Sequence, residues 1–218
     1  MISAACWNIR GLHFTHKQDE VKALVSIHHL SLLGLLETKV KSPTHMQLAR
    51  SLLPGWKFLF NYSSHRLGRI WVAWDPAILS ISLLLSSTQL IHVSIKVLET
   101  NQEFLASYVY GLNEDAGREA LWHSIKTVAS SDQEIPWVVL GDFNIVRFIN
   151  EKLGGSISWS PAMDSFNDCC YEATLDDLPF SGHFLTWSNK SSSSRQISRK
   201  LDREIGRASC RERVCQYV

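Results

Sequence analysis

Short apolar runs and amphipathic stretches alternate along the chain. ISAACWN at 2–8 is short and apolar enough for a buried strand, and Gly11 opens a loop after it. Between 17 and 29, Val21, Leu24, Val25 and His28 recur at i, i+3, i+4 and i+7, which predicts a helix turning Lys17, Asp19, Glu20 and Lys22 toward water. Residues 31–36 read as a second buried strand. Ser42 then Pro43 reads as an N-cap and first-turn proline, opening a helix that Pro54 and Gly55 stop. Five strand-like segments follow, WKFLFNYSS, RIWVAWD, ISLLLSS, LIHVSIKVLE and EFLASYVYG, and predict an antiparallel meander. Leu121, Trp122, Ile125 and Val128 share one face of a helix over 118–129, and 136–140 is a third apolar strand. Ser160-Pro161 opens another helix, with Met163, Phe166 and Cys170 inward; FLTWSN reads as a strand and Ser191 to Ser194 as a polar loop. There is no internal repeat and no domain boundary.

Composition narrows the class. With 218 residues and 45% hydrophobic content the chain buries one ordinary core, which excludes a disordered tail or a coiled coil. Eight Trp, nine Phe and five Tyr favour a packed α/β or α+β domain. Lys and Arg number 22 against 21 Asp and Glu, so no global positive field drives nucleic-acid binding and any polyanion site must be local. The longest apolar runs, such as LSLLGLL at 30–36, fall far short of the roughly 18 residues of a membrane span. Neither a basic n-region nor a long h-region follows Met1, so the chain reads as soluble and unsecreted, nuclear or cytoplasmic. Cys6, Cys169, Cys170, Cys210 and Cys215 are odd in number with no CxxC pair, which fits reduced thiols.

Three apolar strands each end on a polar residue: Asn8 after ISAACW, Glu37 after LSLLGLL and Asp142 after WVVLG. Side by side, their ends would form one rim carrying carboxylates and an amide. Asp142 and Asn144 are two apart, so in an extended chain both leave on one face, and Gly141 beside them leaves room for a ligand. Hard divalent cations take oxygen ligands, one or two carboxylates with water and substrate phosphate, which Glu37, Asn8 and Asp142 meet. Alone, each would read as a turn former at a strand end.

WNIRGL, LLETK, VYGLN and GDFN resemble the endonuclease/exonuclease/phosphatase superfamily. GRIWVAWD, PWVVLGDFNIV, EKLGG, DDLPFSGHFLTWSNK and RKLDR, in that order, resemble the endonuclease domain of plant non-LTR (LINE-type) retrotransposon polyproteins, over most of residues 5–203. The resemblance implies a deoxyribonuclease I-like, four-layered α/β sandwich: two mixed sheets face to face, helices outside, the site at one edge. It implies Mg²⁺, with Mn²⁺ as a substitute, on Glu37, and Asn8 holding that site or the phosphate. Asp142 would orient or deprotonate water, Asn144 and Tyr110 would touch the phosphate or leaving oxygen, and Asp202 would hold a later histidine. The partner implied is the DNA backbone, with a reverse transcriptase elsewhere in the parent polyprotein and no membrane.

The family pattern ends in Ser-Asp-His, a tripeptide this chain lacks. His183 precedes the LDR segment and is read as structural or surface. EIGRASCRERV, from Glu204, looks like the conceptual translation of a sequencing-library adapter. The expectation is therefore an endonuclease domain at 1–203 without its last strands, a non-native tail at 204–218 that makes few contacts, and impaired activity. The competing readings are an inositol-phosphate or lipid phosphatase of the same fold, and a non-catalytic nucleic-acid-binding remnant.

Overall fold

The computed structural model describes residues 2–131, 134–156, 158–191 and 195–207, and the backbone of 216–217. Its first sheet holds β1 (Ser3–Asn8), β2 (Leu32–Leu36), β3 (Lys57–Phe60) and β4 (Ile70–Trp74). The second holds β5 (Leu79–Ser86), β6 (Leu90–Val97), β7 (Glu103–Tyr110) and β8 (Trp137–Asp142). Shorter strands are β9 (Lys152–Leu153), β10 (Asp176–Asp177), β11 (Trp187–Ser188), β12 (Ser198–Arg199), β13 (Asp202–Gly206) and β14 (Gln216–Tyr217). The helices are α1 (Thr15–Ile27), α2 (His45–Leu52), α3 (Asp115–Ser131) and α4 (Pro161–Glu172). Strand order is β14-β1-β2-β4-β3 in one mixed sheet and β10-β13-β8-β7-β6-β5 in the other; β11-β12-β9 forms a small third.

The layers follow from two-sided burial. All five residues of β2 are buried, because Leu32 and Leu36 face the second sheet while Leu33 and Leu35 face α1 and α2. Gly34 lies between those leucines: a Cβ there would stand 2.3 Å from the Tyr108 ring on β7, so the sheets approach closely at this point. On the far side Leu105, Val109 and Val139 pack against Leu121, Trp122 and Ile125 of α3 and Phe166 of α4. The architecture is thus the four-layered α/β sandwich expected. The parallel pairs β1–β2 and β7–β8 are joined through α1 and α3, as parallel strands require.

Several local expectations change. The middle segments do not form one meander: β3 and β4 join the first sheet, and only β5, β6 and β7 are a continuous antiparallel run in the second. Residues 42–44 form a 3-10 turn ahead of α2 rather than a capped α-helical start. FLTWSN contributes only the two residues of β11. Of the polar loop at 191–194, positions 192–194 lie outside the described residues.

The expected break after Arg203 is not there. Glu204, Ile205 and Gly206 continue β13 in register with Leu140, Val139 and Val138. Ile205 is fully buried, and Arg207 donates from its side chain to the Ala129 carbonyl at 2.8 Å. Strand pairing uses backbone groups, which any residue but proline supplies, so one inward apolar side chain is enough to dock the segment. The rest of the predicted tail, 208–215 and 218, lies outside the described residues; Gln216 and Tyr217 pair in parallel with Ser3 and Ala4.

Candidate active site

The two large sheets bring five strand ends to one edge. Asn8 is the last residue of β1, and Glu37 follows β2, its neighbour in the ladder. In the facing sheet Tyr110, Asp142 and Asp202 stand level on adjacent strands, because Tyr110 pairs with Asp142 and Asp142 with Asp202. The rim is therefore built across the gap between sheets rather than along one sheet. The Asn8 side chain closes that gap, donating from Nδ2 to Asp142 Oδ2 at 2.7 Å.

Asn144 reaches the site by a different route from the one expected. The chain is not extended after Asp142: Asn144 has a φ of +52°, and its backbone N–H donates to Asp142 Oδ1 at 2.9 Å. Its amide donates to the Gly111 carbonyl at 2.6 Å, tying the end of β7 to the loop after β8. Gly141 lines the cleft at the site, and a second constraint also requires glycine there. A Cβ there would stand 2.0 Å from the Val109 carbonyl oxygen, and its φ is +140°, so it is the neighbouring strand that demands glycine.

The acids are desolvated and crowded. Burial first, then the charge of Asp202, pushes the Asp142 carboxyl up to about 6, against the hydrogen bonds from Asn144 and Asn8 and the charge of Arg10. Burial raises Asp202 as well, opposed by the Thr186 hydroxyl and Arg10. Tyr110 is pushed up to about 12 by burial, then by the charges of Glu37 and Asp142, so its phenol stays protonated in the physiological range. The charges of Glu37 and Asp142, from facing sheets, thus both act at Tyr110. A cleft of about 430 Å³ opens beside it, lined among others by Asn8, His183, Thr186, Asp202 and Glu204.

No protein-family profile and no sequence of a characterised protein matches the chain. Solved structures do match. The endonuclease domain of TRAS1, a telomere-specific non-LTR retrotransposon, aligns with a TM-score of 0.70 at 12% identity, over 96% of this chain and 86% of its own. An endonuclease/exonuclease/phosphatase family protein from Bacteroides thetaiotaomicron aligns at 0.65 and 12% identity, over 95% and 83%. A mannosyl-6-phosphatase from the same organism aligns at 0.61 and 12%, over 96% and 86%. The chain has the endonuclease/exonuclease/phosphatase fold. Nucleases and a phosphatase share it, so function has to be argued from the site.

Within this fold, oxygen donors suited to a hard cation face the gap. Asn8 Oδ1 is buried and has no hydrogen-bond donor, while its Nδ2 is committed to Asp142, so an acceptor oxygen is left over. Glu37 is partly exposed nearby. Among the described residues no three His, Cys, Asp or Glu gather into a cage. One carboxylate and one amide oxygen, completed by water and phosphate, fit a Mg²⁺-type ion better than a closed structural site.

Two cations stand beside the site that the sequence patterns did not single out. Arg10, two residues past Asn8, has a φ of +53° and lies close enough to influence Asp142, Asp202 and Tyr110. Arg69 directly precedes β4, whose Ile70 pairs with Leu36, and its guanidinium lies 5.5 Å from the centre of the Tyr110 ring. Neither makes an ion pair among the described residues. The readable signal was adjacency: one flanks Asn8 in WNIRGL and the other opens GRIWVAWD.

Proposed function

We propose that the chain is a retroelement-type endonuclease domain that hydrolyses a DNA phosphodiester with a divalent cation, Mg²⁺ with Mn²⁺ as substitute. The observation that carries this reading is the convergence of Asn8, Tyr110, Asp142 and Asp202 beside Glu37, with the unpartnered Asn8 oxygen among them. Glu37 and Asn8 Oδ1 would hold the ion. When bound, it supplies charge neutralisation for the anionic phosphate.

The other roles belong to the chain itself. Asp142, pushed up to about 6, is tuned for a base near neutral pH and can take a proton from water on Oδ2, which has a lone pair beyond the one Asn8 uses. Tyr110 keeps its proton and can donate it in a hydrogen bond to the phosphate or leaving oxygen. Arg10 and Arg69 supply fixed positive charge on either side. Asn144 braces Asp142 from its backbone and keeps one amide proton for the phosphate. Asp202 is desolvated at the cleft that His183 also lines, and in this reading slow nicking is expected because the Ser-Asp-His imidazole of the resemblance is not in the sequence.

In this reading the partner is the DNA backbone, and a reverse transcriptase is the neighbour in the parent polyprotein. The test is Mg²⁺-dependent nicking of supercoiled plasmid run beside phosphate release from inositol phosphates. Nicking that disappears in Glu37→Ala and Asp142→Asn supports the endonuclease. Phosphate release without nicking would transfer the site to phosphomonoester chemistry.

A further inference from the structure

The Lys39 ammonium lies 2.7 Å from the Glu37 carboxylate. The corner between them is held firmly: both residues have left-handed backbone, φ +54° and +55°, and the buried Thr38 between them donates its hydroxyl to the Gly68 carbonyl at 2.9 Å. Lys39 also lines a second cavity of about 620 Å³, which shares no lining residue with the acid-lined cleft. Its other polar walls include His13, Gln18, Lys41 and Gln47, and no acidic residue is among the described residues that line it. Lys41 makes no ion pair among the described residues.

We propose that this cavity binds the backbone phosphate next to the scissile one in a bound DNA strand, and that Lys39 moves between Glu37 and the cavity according to whether a divalent cation occupies Glu37. The proposal rests on the metal-dependent reading above. An ammonium at salt-bridge distance already neutralises Glu37, so a cation arriving there must displace it, and the two positive charges then repel. The Lys39 side chain is half exposed, so its four-carbon stem can swing without opening the core. The place it already lines contains donors and no competing carboxylate, which suits an anion. A backbone phosphate is favoured over free phosphate because Lys39 lines the cavity and lies at salt-bridge distance from Glu37, which links the cavity to the metal-holding residue.

The coupling is reciprocal: metal should tighten DNA, and DNA should tighten metal by the same factor. The experiment measures Mn²⁺ binding by electron paramagnetic resonance, alone, with a 20-base-pair duplex and with inorganic phosphate, in the wild type, Lys39→Met and Lys41→Met. Wild-type protein is expected to bind Mn²⁺ about tenfold tighter with duplex present. Lys39→Met is expected to bind Mn²⁺ alone about tenfold tighter, with duplex adding no further change. Lys41→Met should leave Mn²⁺ alone unaffected and weaken the duplex severalfold. Unchanged Mn²⁺ affinity in Lys39→Met, or coupling that persists there, overturns the switch. A Lys41→Met protein that binds duplex normally removes the cavity from the strand's path, and inorganic phosphate reproducing the coupling assigns the cavity to free anion. Absence of Mn²⁺ binding in the wild type would instead remove the metal-dependent reading itself.

Discussion

Replacing Glu204 with valine should stabilise the protein, and by an amount that depends on pH. Glu204 lies on the face of β13 that carries Asp202, turned into the inter-sheet cleft with Cys6, Leu36 and Leu178. Its carboxyl makes no hydrogen bond or ion pair among the described residues, and burial alone pushes it up from 4.5 to about 7. Each unit of such a displacement is worth about 1.4 kcal/mol, so the ionised form costs about 3 kcal/mol in the folded state. The folded protein holds the Glu204 proton between pH 4.5 and 7 while the unfolded chain releases it. Stability therefore falls as pH rises through that window, and the cost is complete above pH 7. Urea unfolding followed by circular dichroism at pH 5 and pH 8 measures it. Because Asp142 and Asp202 titrate in both proteins, the difference between wild type and variant isolates Glu204. Glu204→Val should gain about 2–3 kcal/mol at pH 8 and much less at pH 5. Equal stabilities at pH 8 would mean that the Glu204 carboxylate is solvated in the folded protein, against its burial in the cleft.

Two further substitutions probe the frame around the site. Gly141→Ala forces a Cβ onto the Val109 carbonyl in a backbone conformation alanine avoids, and should cost about 3 kcal/mol or more, read as a fall in thermal midpoint. Arg203 is wholly buried, paired with Glu151 and, at 3.1 Å, with Asp177. Arg203→Met leaves Glu151 buried with Lys200 at 3.9 Å as its remaining cation and should cost about 3–5 kcal/mol in urea unfolding, with the double variant Arg203→Met/Glu151→Leu recovering part of the loss.

Much of this was legible in the chain. Helical spacing at Leu121, Trp122, Ile125 and Val128, and the Ser160-Pro161 start, placed α3 and α4 because each buries one face only. The distribution of the middle strands between two sheets was not legible, since an apolar run such as RIWVAWD carries no label for its partner. Strand ends marked Asn8, Glu37 and Asp142, yet the geometry of GDFN was missed: Asp142 accepts from the backbone two residues on, and the chain turns where extension was expected. Gly141 does line the cleft, but the close approach of Val109 that also requires glycine was not legible, because Val109 is 32 positions away. The segment after Arg203 docks through Ile205, which alternation alone permits. Glu204 beside it faces the inter-sheet gap with no hydrogen bond or ion pair among the described residues, which alternation does not foretell.

Asn8, Glu37, Tyr110, Asp142 and Asp202 are proposed to form a metal-assisted phosphodiesterase site without the Ser-Asp-His imidazole. This assignment is tested most directly by joining residues 1–203, in register through β13, to the terminal strands of a retrotransposon endonuclease that carry Ser-Asp-His. Nicking of supercoiled plasmid in Mg²⁺ is then compared across the 218-residue chain, the fusion, and the fusion carrying Glu37→Ala. The chain should nick near background, the fusion should gain about a hundredfold or more, and Glu37→Ala should abolish that gain. Nicking by the chain equal to the fusion, or a fusion indifferent to Glu37→Ala, would contradict it.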